Sequence, residues 1–155
     1  KCKEGVRIMD MYRTLILEHS KNPQNKGTLK SPDIRYKEKN PLCGDEIQID
    51  VQVTRKGEIK EIAFDGHGCA ISQAAASLLT EEVNGKHVDE ILTLKRKEML
   101  NVLGIELAAM RMKCGMLALH VLQKGILMYK AKRLTRQKRT ANKGPKKKTE
   151  NKNVR

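Results

Sequence analysis

The most constraining feature of this chain is a strictly alternating run at residues 46–54. Ile47, Ile49, Val51 and Val53 share one side, and Glu46, Gln48, Asp50, Gln52 and Thr54 share the other. A period of two places successive side chains on opposite faces of a strand, so this run predicts a strand with one buried and one wet face. Arg55-Lys56-Gly57-Glu58 then reads as a hairpin turn, and Ile59–Phe64 as the returning strand. A sheet that is wet on one side takes its helices on the other. The fold expected from the residues is therefore α+β, with a small antiparallel sheet and helices packed on one face.

The rest of the chain supplies those helices. Ile8, Met11, Tyr12, Leu15 and Ile16 recur at helical spacing and predict a helix over 7–20, ended by Asn22-Pro23. A short strand at Ile34–Lys37 is weakly signalled. Asp65-Gly66-His67-Gly68 reads as a tight turn, followed by a helix over Ala70–Val83 with Ile71, Ala74, Ala75, Leu78, Leu79 and Val83 facing inward. Shorter helices are expected at Val88–Leu94 and Lys95–Leu103. A long one is expected from about Met112 to Tyr129, with Gly125 as a weak point.

Charge divides the chain. The formal net charge is +14 over 155 residues, but residues 130–155 hold twelve Lys or Arg and one Glu, leaving +3 for residues 1–129. The expected organisation is a flexible stretch at 1–7, one domain at 8–129 and a basic, disordered tail at 130–155. Such a tail can touch acidic surfaces or nucleic acid without sequence preference. It has no interleaved aromatics on which bases could stack, so nucleic-acid binding is accessory at most. No apolar run reaches the length of a membrane span, and no secretory leader opens the sequence, so no membrane partner is expected and a reducing, cytoplasmic setting is. In that setting spaced cysteines suggest metal or sulfur chemistry rather than disulfides.

Three cysteines sit in suggestive contexts. Cys43 lies in the turn-prone stretch Asn40-Pro41-Leu42-Cys43-Gly44-Asp45, just ahead of the alternating strand, with Asp45 two residues on and pointing the same way. Cys69 follows Gly66-His67-Gly68 at a helix start, and Cys114 follows Arg111 and Lys113; both contexts favour thiolate. Three thiolates and one carboxylate suit tetrahedral zinc or iron. Intervals of 25 and 44 residues between these cysteines match no zinc-finger pattern, so spacing alone leaves open three lone buried thiols. Gly66-His67-Gly68 also hints at a dinucleotide loop, but Ile71 occupies the place of its third glycine.

The surrounding residues carry a resemblance. Tyr12 through Gly27, including His19, Asn22-Pro23 and Asn25, resembles the opening of the IscU/NifU-like family of iron–sulfur cluster assembly proteins. Asn40–Asp45 looks like that family's first ligand motif, Phe64–Ser77 its second, and Arg111-Met112-Lys113-Cys114 its third. The likeness covers roughly residues 8–129 in consistent order. It implies a three-stranded antiparallel sheet and a site holding zinc or a transient 2Fe–2S cluster on Cys43, Asp45, Cys69 and Cys114. It also implies a cysteine desulfurase that donates sulfur, iron–sulfur recipient or carrier proteins, and a homodimer bridging a cluster as one arrangement.

Two departures from the pattern stand out. Lys113 replaces the histidine that precedes the last cysteine in the IscU branch, as it does in the SufU branch, yet the insertion of SufU-type chains is missing. Leu107-Ala108-Ala109-Met110-Arg111 stands where the IscU branch carries a chaperone-recognition motif, so such a chaperone is not expected.

The leading expectation is a scaffold or carrier rather than an enzyme. Cys43 or Cys114 accepts persulfide sulfur, iron enters, and Asp45 is the exchangeable oxygen ligand. The alternative is a zinc-dependent sulfurtransferase relaying sulfur to another scaffold. Lys113 is read either as balancing an anionic cluster or as a solvated lysine, and His67 as an exposed turn residue before a substitute ligand.

Overall fold

The computed structural model describes residues 2–141. Its order is α1 (Cys2–Lys21), β1 (Ile34–Lys39), β2 (Glu46–Val53), β3 (Ile59–His67), α2 (Ala70–Val83), α3 (Val88–Thr93), α4 (Arg96–Leu103) and α5 (Ala109–Ala141). The strands form one antiparallel sheet in the order β1-β2-β3. The α+β architecture expected from the residues is the one observed. No described helix is long and apolar enough to cross a membrane.

Alternation in β2 sets the register. Ile47, Ile49 and Val51 are buried and sit opposite Gly66, Phe64 and Ile62 of β3, while Ile49 and Val51 also face Tyr36 and Ile34 of β1. This apolar face receives α2 and α5, whose Leu79, Val83, Leu119, Leu122 and Ile126 complete a core containing the single phenylalanine, Phe64. With no tryptophan and one phenylalanine, the core depends on close aliphatic packing. Gly125 does not break α5. A side chain there would meet Ile34 at 2.9 Å and Tyr36 at 3.1 Å, so the missing Cβ is what lets the helix lie on β1.

The opposite face is less wet than the alternation predicts. Asp50 is buried, and its carboxylate takes Nε of Arg35 at 2.9 Å, Nη2 of Arg35 at 2.6 Å and the Leu29 amide at 3.0 Å. Arg35 also donates to the Leu29 carbonyl, pinning the 22–33 loop across the sheet. Burial pushes the Asp50 carboxyl up, but the Arg35 guanidinium, the Leu29 amide and Gln48 outweigh it and hold it below the usual 3.8. A depressed folded pKa contributes stability above the unfolded value that disappears as pH falls through the folded one. Arg35→Ala is therefore expected to lower the urea midpoint at pH 7 more than Lys124→Ala, which breaks only the exposed pair with Glu38. The gap between Arg35→Ala and the parent should close once the pH is acidic enough to protonate Asp50 in the fold.

Several boundaries differ from the sequence expectations. Helix α1 begins at Cys2 rather than residue 7, and its apolar stripe is mostly unburied: Ile16 is buried, whereas Met11 is 71 % exposed. Polar ties also join the end of the helix and the loop after it to α2. His19 Nδ1 lies 2.8 Å from the Ser77 hydroxyl, which also accepts the Gln24 amide at 2.8 Å, and Asn25 donates to Thr80. Asp65-Gly66-His67 is not a turn but the end of β3, paired with Glu46–Gln48. Helix α5 starts at Ala109 and continues past Tyr129 to Ala141, so the first part of the expected basic tail is helical. Residues 142–155 of that tail lie outside the described residues, as does Lys1.

Candidate metal and sulfur site

Three elements bring the site together at one end of the sheet. Asn40–Asp45 closes the β1–β2 hairpin: the Asn40 amide donates to the Asp45 carbonyl at 2.7 Å, Gly44 N–H donates back to the Asn40 carbonyl at 2.8 Å, and the Asn40 side chain accepts the Leu42 amide. The loop is thus a fixed turn, with Cys43 exposed at its tip and Asp45 4 % exposed beneath it. Pairing of Glu46 with His67 brings the end of β3 beside Asp45, so Gly68 and Cys69 arrive next to the carboxylate. Cys69 is the N-cap of α2 and donates its backbone N–H to Asp45 Oδ1 at 3.3 Å. Cys114 projects from the second turn of α5, 6 % exposed, with its Sγ 3.6 Å from that of Cys43.

One ligand atom each from Cys43, Asp45 and Cys114 lies within 4.8 Å of the others. The Cys69 thiol is not one of that set, but it acts on both the Asp45 carboxyl and the Cys114 thiol from the α2 side. Asp45 Oδ2 is buried with no hydrogen-bond partner. An unsatisfied buried carboxylate oxygen is costly, and three thiols around it make a cation its natural partner. Burial pushes the Asp45 carboxyl up, while the Ser72 hydroxyl and the cysteine thiols hold it below 3.8, so it is a carboxylate at neutral pH. The donor set therefore fits zinc or iron.

The cysteines differ from one another. Burial, then the Cys43 and Cys69 thiols, push the Cys114 thiol up to about 12. The sequence expectation that Arg111 and Lys113 make it a thiolate is corrected: both side chains are exposed on α5, while the sulfur points into the protein. Cys114 also lies inside the helix rather than at its start. Cys43, Cys69 and Cys114 are free thiols. His67 is exposed at the end of β3, and Lys113 is exposed on α5. Neither is among the residues that approach as ligands.

Two residues that position the ligands were not singled out from the sequence. Ser72 donates its hydroxyl to the Cys69 carbonyl at 2.9 Å and lies against Asp45. At Gly68 a Cβ would come within 2.4 Å of the Ser72 Oγ and 2.7 Å of the Asp45 Cγ. The detectable signal was a serine three residues beyond a helix cap, which is also common where there is no site. Gly68→Ala is expected to displace the Asp45 carboxylate and weaken zinc or ferrous binding by about tenfold or more. The melting temperature should fall as well, since the clash is with the buried Ser72 and Asp45 side chains. Competition titration with a chromophoric chelator reads the affinity, and an unchanged value would show that Asp45 does not need this support.

Residues 11–136 match the family of the NifU-like N terminal domain. The chain is 33 % identical over 134 residues to the zinc-dependent sulfurtransferase SufU of Bacillus subtilis, covering 75 % of this chain and 89 % of that protein. It is 30 % identical over 126 residues to the iron–sulfur cluster assembly scaffold protein IscU of Buchnera aphidicola, covering 79 % and 98 %. Among solved structures it resembles a protein assigned to iron–sulfur cluster assembly in the SUF system of Fervidobacterium islandicum. That match has a TM-score of 0.65 and 26 % identity, with 72 % of this chain and 93 % of the other covered.

Proposed function

Because the chain belongs to the NifU-like N terminal domain family, we propose that it is an iron–sulfur cluster assembly scaffold working on Cys43, Asp45, Cys69 and Cys114. The observation that carries this reading is the buried, unpartnered Asp45 oxygen beside the Cys43 and Cys114 thiols, with Cys69 on the α2 side and Cys43 exposed to a partner. The cargo is a transient 2Fe–2S cluster, built from iron and from sulfur delivered by a cysteine desulfurase and passed to recipient or carrier proteins.

Sulfur acceptance falls to Cys43. Its thiolate attacks the terminal sulfur of the desulfurase's cysteine persulfide, a new S–S bond forms on Cys43, and the old one breaks to release the desulfurase thiolate. Exposure supports the assignment, because Cys43 stands at the tip of the hairpin loop while Cys114 is buried. The thiols hold a soft cation, and Asp45 adds a hard oxygen that exchanges more readily than sulfur. Replacing it should slow the departure of the cargo.

A second reading, a zinc-dependent sulfurtransferase, is favoured by the likeness to the Bacillus subtilis protein and by Lys113 beside Cys114. Anaerobic reconstitution with ferrous iron, the desulfurase and cysteine separates the two. A scaffold develops a visible-absorbing cluster and hands it to an apo-ferredoxin. A chain that keeps one zinc throughout and never develops the chromophore is a sulfurtransferase.

A further inference from the structure

Away from the cysteines, a groove of about 470 Å³ runs between the start of α4 and the outer face of α5. Lys95, Arg96, Lys113 and His120 line its rim, Leu94 and Met116 are among its apolar lining residues, and no acidic residue lines it. The nearest acid, Glu98, is engaged with the Lys95 backbone amide at 2.9 Å as the cap of α4. Among the described residues, the side chains of Arg96 and Lys113 have neither an ion pair nor a hydrogen bond.

We propose that this groove docks an acidic peptide segment of a partner protein, with one apolar side chain seated between α4 and α5. Charge and composition select that occupant. Residues 142–155 of this chain have the same sign as the rim and are repelled. A second copy is the competing occupant, and dimerisation that the rim variant abolishes would overturn the proposal. Nucleic acid lacks a platform here, since no aromatic residue lines the groove. A carboxylate-rich segment neutralises the rim, and an apolar side chain gains by covering the methionine and leucine lining. The surface goes beyond the sulfur chemistry, and its test does not depend on the cargo.

Fluorescence anisotropy of a labelled Glu-Glu-Leu-Glu-Asp peptide against the full chain reads docking directly. Lys95→Ser combined with Arg96→Gln keeps a good cap on α4 and removes two rim charges. It is expected to weaken binding by at least about fivefold. Arg55→Gln with Lys56→Gln removes the same charge from the distant β2–β3 turn and should change it less than about twofold. Replacing the peptide's leucine by serine should weaken binding as well. Equal losses in the two double variants would reduce the effect to net charge and overturn the proposal. So would indifference to the leucine, absence of peptide binding, or a single-stranded oligonucleotide that responds to the rim variant more strongly than the peptide does.

Discussion

Cys43→Ser is expected to abolish persulfide acceptance from a cysteine desulfurase, whereas Cys114→Ser should retain it and lose metal. The two sulfurs lie 3.6 Å apart, so proximity does not separate them; access and protonation do. Cys43 stands exposed on the hairpin loop, beside a Leu42 side chain that is 71 % exposed and free to meet a partner. Cys114 is buried and its thiol is pushed up to about 12. In the metal-free chain that shift disfavours its thiolate, and only the thiolate is a competent nucleophile. Intact-mass measurement after incubation with desulfurase and cysteine should show added sulfur on the parent and on Cys114→Ser. Cys43→Ser should fall by about a hundredfold or more. Metal content should drop in both variants, since each removes a ligand. Persulfide found on Cys114 in the Cys43→Ser variant, at the parent's rate, would reverse the assignment.

Gly66→Ala is expected to be the most destabilising alanine substitution at a glycine of the sheet, although Gly66 touches no ligand. Its φ is +137°, and a Cβ there would fall 2.0 Å from the Glu46 carbonyl oxygen, 2.9 Å from the Glu46 carbonyl carbon and 3.1 Å from Ile47 Cα. All three are backbone atoms of the paired strand, so no side chain can swing aside. The strand pair must separate or shift, at a cost of about 3 kcal/mol or more, or roughly 10 °C in melting temperature. The same pairing aligns Glu46 with His67 and thereby holds Asp45 against Cys69, so metal affinity should fall together with stability. Gly85→Ala is the control. It has φ +81° but nothing within 4 Å, so it carries conformational strain without the collision. Equal melting temperatures for the two variants would mean that the β2–β3 pair yields easily at Gly66.

Much of the fold was legible because it rests on local periodicity. The alternation of Ile47, Ile49 and Val51 specified both the strand and its buried face, and the expected α2 bounds, Ala70–Val83, are those observed. Where a pattern had two physical readings, the sequence could not choose. Asp65-Gly66-His67 has turn chemistry, but Glu46, Ile47 and Gln48 stand opposite and draw it into the sheet. The apolar stripe of α1 reads as core, yet polar ties from His19 and Gln24 to Ser77 leave Met11 in solvent. Gly125 reads as a helix breaker, and its role appears only once α5 lies on Ile34 and Tyr36.

For the site, the sequence by itself determined which residues could serve as ligands and which local motifs present them: a turn ahead of a strand for Cys43 and Asp45, a helix start for Cys69. Sidedness along a strand and position at a helix end are short-range properties that a few neighbouring residues settle. Only the tertiary structure decided that Cys43 and Cys114 meet beside Asp45, that an Asp45 oxygen is left buried without a partner, and that Cys114 is buried while Cys43 is exposed. Burial and charge are set by atoms distant in the chain, so the flanking Arg111 and Lys113 suggest a thiolate that burial and the neighbouring Cys43, Cys69 and Asp45 disfavour in the metal-free chain.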